Sequence, residues 1–150
     1  MTKELYKHTV LELNKGYSEK VFSPLEATKE TIKKIKTHDE VLNAFVFFDE
    51  EHVLKQANES KKRYDNKMQR GFLDGVPISI KDLIVTNDMP TYRGSLTTSL
   101  PAHANYDAPV VKKLKEQGAI ILGKTASPEF GHKGTTQSLR TGKTIKKFKL

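Results

Sequence analysis

An α/β fold is predicted for this chain of 150 residues by three observations. Short apolar runs alternate with amphipathic stretches, serine and aspartate stand where helices should begin, and glycines stand where they should end. Leu5, Val10 and Leu13 fall at roughly helical spacing before Gly16, which predicts a first helix closed by a glycine C-cap. Ser23-Pro24-Leu25-Glu26 is a sharper signal, with a serine N-cap, proline at the first helical position and glutamate three residues on to close a capping box. That helix is expected to run to about Thr37. It would place Leu25, Thr28, Ile32 and Ile35 on one face and Lys29, Lys33, Lys34 and Lys36 mainly on the other. Leu42 to Phe48 reads as a strand, and Asp49-Glu50-Glu51 as the capped start of a polar helix through about Tyr64. Gly71 to Gly75 turns the chain into a strand at Ile78 to Ile80. Thr86 to Tyr106, with Pro90, Gly94 and Pro101 and no sustained period, is expected to be a long surface connection. Asp107 before Ala108-Pro109-Val110 opens a further helix, Gly118 closes it, and Ala119 to Leu122 follows as a strand. No repeat, low-complexity segment or linker divides the chain into two domains.

Composition narrows the function classes. The chain is 36% hydrophobic and 29% charged, an ordinary though rather polar globular balance. Of the formal net charge of +8, half comes from Lys143, Lys146, Lys147 and Lys149, in a final ten residues without an acid. Such a tail attracts nucleic acid or anionic lipid without specificity, but Phe148 is its one aromatic, so a solvated tail and no specific nucleic-acid partner are expected. Lys61-Lys62-Arg63 is opposed by Glu50, Glu51, Glu59 and Asp65 and reads as solvated surface. With no cysteine there is neither a disulfide framework nor a thiolate metal site, and a cytoplasmic location is expected. The first residues lack the apolar core of a signal peptide, and the longest apolar runs, Ala44 to Phe48 and Ala119 to Leu122, are far below spanning length. His8, His38, His52, His103 and His132 are dispersed without ligand spacing, so neither a metal nor a cofactor is expected. Gly118 to Thr125 formally satisfies the phosphate-loop pattern. Its intervening residues form the expected strand instead of a loop free to aim amides at phosphate, and nucleotide binding is rejected.

The candidate catalytic residue is Lys81, in Gly75-Val76-Pro77-Ile78-Ser79-Ile80-Lys81-Asp82. A short apolar strand here delivers one amine into a turn. A lysine at a buried strand end loses hydration, is pushed toward its neutral form, and can then take a proton from a hydroxyl nucleophile. The competing reading is a strand-end lysine in water, paired with a carboxylate such as Asp82.

More of the chain bears on the choice. Leu42-Asn43-Ala44-Phe45-Val46, the Lys81 motif, Asp107 to Val111, Gly118 to Thr125 and Pro128-Glu129-Phe130-Gly131 stand in the order and approximate spacing of the amidase signature family. From about Leu11 to Thr144 the sequence resembles that family's amino-terminal portion. The resemblance implies an incomplete α/β fold, a mixed sheet flanked by helices, and a Ser, cis-Ser, Lys triad hydrolysing a small-molecule carboxamide, with Lys81 as its lysine. The family's two serines lie in a Gly-Gly-Ser-Ser-Gly-Gly-Ser type segment, and residues 134–150 contain none. Where the family continues with an Asn-Pro-Trp type turn, this sequence reads Ile145-Lys146-Lys147-Phe148-Lys149-Leu150. Two segments are therefore expected: residues 1–144 as the amino-terminal part of an amidase domain, and 145–150 as a divergent basic tail. The expected product is a truncated amidase, inactive alone, whose partner would be a complementing carboxyl-terminal fragment and whose unpaired strand edges favour aggregation. Thr125 to Gly131 resembles stand-alone amidases more than the tRNA-dependent amidotransferase component that works on misacylated tRNA. The alternatives are a fragment of that amidotransferase component and a non-catalytic interaction fragment or relic.

Overall fold

Thr9, not Leu5, starts the first α-helix. The computed structural model describes residues 4–99 and 104–145. Leu5–Lys7 form a single 3-10 turn, and α1 spans Val10–Ser18. Thr9 and Glu12 close a capping box: Glu12 N donates to Thr9 Oγ1 at 3.3 Å and Thr9 N to Glu12 Oε2 at 2.6 Å. Gly16, expected as the C-cap, lies inside α1, where a Cβ would stand 2.2 Å from the Phe22 ring. The helix instead ends past Ser18 in a Schellman motif, with Lys20 at φ +57° and Val21 N donating to Gly16 O.

The Ser23 capping box forms as read, with Glu26 N on Ser23 Oγ at 3.2 Å and Ser23 N on Glu26 Oε2 at 2.8 Å. Its helix, α2, runs over Pro24–Leu42, beyond the expected end near Thr37. Nothing between Lys36 and Leu42 breaks a helix. The stop is Asn43 at φ +50°, an αL terminus that asparagine tolerates, with Asp39 Oδ1 accepting the next amide, Ala44 N, at 2.8 Å. The following strand, β1, is therefore only Phe45–Phe48. Asp49 accepts His52 N at 3.1 Å and caps α3, Glu50–Asp65. Then come β2 (Pro77–Lys81), α4 (Pro109–Glu116), β3 (Ile120–Thr125) and a minimal hairpin of β4 (Gln137–Ser138) and β5 (Gly142–Lys143). Gly118, at φ +83°, closes α4 as expected, and β3 outruns the predicted strand by taking in Gly123, Lys124 and Thr125.

The principal sheet has the order β1-β3-β2. β1 and β3 are antiparallel, with Phe48 opposite Gly123 and an irregularity between Phe45 and Phe47. β2 and β3 advance together, since Ile120 N donates to Val76 O and Asp82 N to Thr125 O. They are therefore parallel and the sheet is mixed. Among the described residues no helix is long and apolar enough to cross a membrane.

Although no linker is present, the chain divides into two compact units threaded from discontinuous segments. The first takes Met1–Ile35, Asp49–Ile78 and Lys113–Leu122. Its core gathers Leu13, Tyr17, Ala27, Tyr64 and Val76. The two tyrosine rings meet edge-on at 5.3 Å, and their hydroxyls donate to Gly75 O and Asp74 O. Asp74 is buried. It is satisfied by Ser60 Oγ, by Arg70 N and by a two-nitrogen fork from Arg63 at 2.7 Å. Gln56 pairs with Ile121 through both its amide atoms, as a neighbouring strand would.

The second unit takes Lys36–Phe48, Ser79–Lys112 and Gly123–Leu150. The segment expected as a surface connection is only partly one. Thr86, Met89, Pro90, Thr91, Gly94 and Ser95 are buried, and Thr86, Thr91 and Gly94 find polar partners at the strand ends described below. Residues 100–103 of that segment, and 146–150 of the expected basic tail, lie outside the described residues.

Candidate active site

Strand β2 ends at Lys81, and the chain turns at once, with Ile84 N donating to Lys81 O at 2.9 Å. Asp82 N is bound to Thr125 O at 2.9 Å, so the turn begins while still pinned to β3. Lys81 itself is exposed, and its amine makes no hydrogen bond or ion pair among the described residues. The expected burial of Lys81 is thus not found among the described residues. Neither is the pairing with Asp82.

Asp82 points inward and is fully buried. Its Oδ1 accepts Tyr92 N at 2.8 Å, its Oδ2 accepts Gly94 N at 3.1 Å, and its carbonyl accepts Arg93 N at 3.0 Å. Arg93 at φ +57° and Gly94 at φ +62° curl this stretch so that the Tyr92 and Gly94 amides face one carboxylate. Burial raises the Asp82 pKa above the usual carboxylate value, opposed by these amides and by the charge of Lys124. Gly94 is required twice over, by its φ and because a Cβ would stand 2.4 Å from Ser127 O.

The desolvated lysine is Lys124, on β3. It is fully buried, and its Nζ donates to Ile84 O, to Thr91 Oγ1 at 2.8 Å and, at the outer limit of 3.5 Å, to Thr86 Oγ1. Burial lowers its pKa from 10.5 to about 8, against the favourable charges of Asp82, Asp88 and Asp107. The phosphate-loop pattern is thereby excluded on geometry, since its lysine is spent on backbone and threonines from within a strand. Sequence reasoning passed over Lys124 because it took the strand to end at Leu122. Gly123 lies inside the strand under close backbone approach, since a Cβ there would meet Phe47 O at 2.3 Å.

Further contacts hold the loops around the Lys81 turn. Ser95 Oγ donates to Glu129 Oε1 at 2.6 Å and Phe130 N to Arg93 O at 2.8 Å, tying residues 93–95 to 129–130. Arg140 stacks on Tyr92 at 4.8 Å and donates to Ser95 O and Thr98 O. Among the described residues no group of histidine, aspartate and glutamate could hold a metal ion. The arrangement presents an amine at a strand end, and among the described residues no hydroxyl bonds that amine.

The fold is of the α/β class, a mixed sheet with helices from which β2 delivers a lysine into a braced turn. The sequence matches the family model described as Amidase over residues 26–148, and the chain belongs to that family. It is 37% identical over 143 residues to the A subunit of the glutamyl-tRNA(Gln) amidotransferase of Agathobacter rectalis, covering 94% of this chain and 28% of that protein. It is 39% identical over 124 residues to the mitochondrial counterpart from Ornithorhynchus anatinus, covering 81% of this chain and 23% of that one. The fold is similar to the native peptide amidase of Stenotrophomonas maltophilia, with a TM-score of 0.83 and 28% identity over 93% of this chain and 30% of that structure. The chain spans about a quarter of the length of the curated relatives it matches.

Proposed function

We propose that this chain carries the lysine of a Ser, cis-Ser, Lys amidase and acts on a small-molecule carboxamide only when joined by a segment bearing both serines. In that assembly Lys81 accepts a proton from the cis-serine hydroxyl, the cis-serine activates the second serine, and attack on the amide carbonyl gives an acyl-enzyme that water releases. The observation that carries this reading is the bracing of the turn that follows Lys81: the buried Asp82 and Lys124 hold the chain leaving a strand end whose amine has no bond of its own among the described residues. An amine held ready but unengaged suits a base awaiting its nucleophile. Without the serines no turnover is expected, because removing a triad's nucleophile removes most of its acceleration. A cytoplasmic location belongs to the same proposal, supported by the absence of cysteine.

The test is amidase activity on a panel of simple carboxamides. It compares the chain alone, the chain with a family-type carboxyl-terminal segment supplied in cis or in trans, and that assembly with Lys81→Ala. Activity only in the unsubstituted assembly supports the proposal. Turnover by the chain alone, or survival of activity in Lys81→Ala, overturns it.

The 37% and 39% identities to proteins named as glutamyl-tRNA(Gln) amidotransferase components favour a second reading, in which the chain is part of such an amidotransferase and the amide is that of glutamine. Ammonia release from glutamine, with simple carboxamides left intact, would select it. An inert assembly that folds and holds a partner would instead leave the interaction-fragment reading.

A further inference from the structure

We propose that Lys124 is a positioning residue for Lys81, whose ammonium locks the turn leaving β2 and the loop that returns beside it. This rests on the reading of Lys81 as the amidase base.

The argument starts from how rarely a lysine is fully buried, since an ammonium taken out of water needs every donor engaged. Lys124 Nζ has three acceptors in reach: Ile84 O, Thr91 Oγ1 and Thr86 Oγ1. All three belong to one segment, which begins three residues beyond Lys81. Asp82 holds the far end of the same segment, through Tyr92 N and Gly94 N. Residues 82–94 are therefore clamped twice, by a carboxylate at their origin and by an ammonium from the neighbouring strand. Asp82, Asp88 and Asp107 supply the negative charge that acts on this ammonium.

Neither clamp replaces the other. Asp82 fixes where the loop returns, whereas Lys124 sets the path of Ile84, whose amide closes the turn on Lys81 O. An apolar side chain at position 124 would leave the part-buried Ile84 carbonyl and the buried Thr91 hydroxyl without their donor, and the turn would open to satisfy them. The direction of the Lys81 amine would change while the core around Tyr17 and Tyr64 kept its own partners.

The experiment uses the 150-residue chain in four forms: unsubstituted, Lys124→Met, Thr91→Val and Thr91→Ser. Amide hydrogen exchange is read at Ile84, Arg93 and Gly94, with Ile120 as the reference. The pH profile of Lys81 acylation by a small amine-reactive ester is followed by mass spectrometry. In Lys124→Met and Thr91→Val, protection at Ile84, Arg93 and Gly94 is expected to fall about tenfold or more relative to Ile120, the scale of one bond to a charged group. The Lys81 acylation profile is expected to shift. Thr91→Ser, which keeps the hydroxyl, is expected to behave as the unsubstituted chain. Should Lys124→Met fail to fold, the comparison of Thr91→Val with Thr91→Ser decides. Equal loss of protection at Ile120 and at the loop, or an unchanged Lys81 profile, would overturn the inference. Neither readout needs turnover, so a wrong assignment of Lys81 as the base shows in the amidase assay and leaves this result to stand separately.

Discussion

Lys124→Met should flatten a rise in stability that the unsubstituted chain shows between about pH 7 and 9.5. The Lys124 pKa is about 8 in the folded chain against an ordinary 10.5, lowered by burial. Between those values the unfolded chain binds a proton that the folded chain does not, so stability increases with pH. The contribution is complete above the unfolded value and is lost as pH falls through the folded one. Integrated over that window, it amounts to about 2 kcal/mol. Tyr17 and Tyr64, both raised by burial, carry the opposite sign: their stabilisation is present below an unfolded value of 10.0 and lost above it, so the profile should turn over near there. The chain has no tryptophan, so urea unfolding is best followed by far-UV circular dichroism. With a urea slope of roughly 2 kcal/mol/M, the midpoint should move upward by about 1 M across the window. A flat or falling midpoint in the unsubstituted chain, or the same rise in Lys124→Met, would refute the burial argument.

Five other outcomes follow from the same structure. Asp74→Ala leaves the Arg63 fork, the Ser60 hydroxyl and the Arg70 amide without their acceptor and should destabilise the chain by about 3 kcal/mol or more, measured by urea unfolding at neutral pH. The Asp74 pKa is lowered although burial alone would raise it, because Arg63, Ser60 and Arg70 bind the charged form; that stability should be lost as pH falls below the ordinary carboxylate value. Gly123→Ala drives a Cβ to 2.3 Å from Phe47 O and should break the β1–β3 pairing, seen as loss of exchange protection across Phe45–Phe48. Ser23→Ala removes the acceptor of Glu26 N and should lower stability by about 1 kcal/mol, read from the same urea midpoint. Lys81→Ala, at an exposed position with no side-chain bond among the described residues, should change stability by less than about 0.5 kcal/mol while abolishing activity of the assembled enzyme.

Capping chemistry and periodicity were legible because they are local. Ser23 with Glu26, and Asp49 before Glu50, place helix starts that the structure reproduces, and Gly118 closes its helix as read. The ends read less well. Gly16 resembles a C-cap in sequence but serves the Phe22 ring, and Asn43 stops α2 through a φ that no spacing rule reveals. The ordered motifs around Lys81 also sufficed for the family, which the match over residues 26–148 confirms.

What the sequence alone determined, then, is the alternation of helices and strands, the family, and the strand that ends at Lys81. The tertiary structure decided which lysine is desolvated. Burial depends on chain brought in from a distance: the acceptors of Lys124 lie 33 to 40 residues before it, and it is the loop folding back on β3 that closes over the ammonium. Lys81, one residue beyond a buried isoleucine, stays exposed because no described segment covers it. A local pattern specifies where a side chain departs from the backbone; the water it keeps is set by whatever else the fold places there.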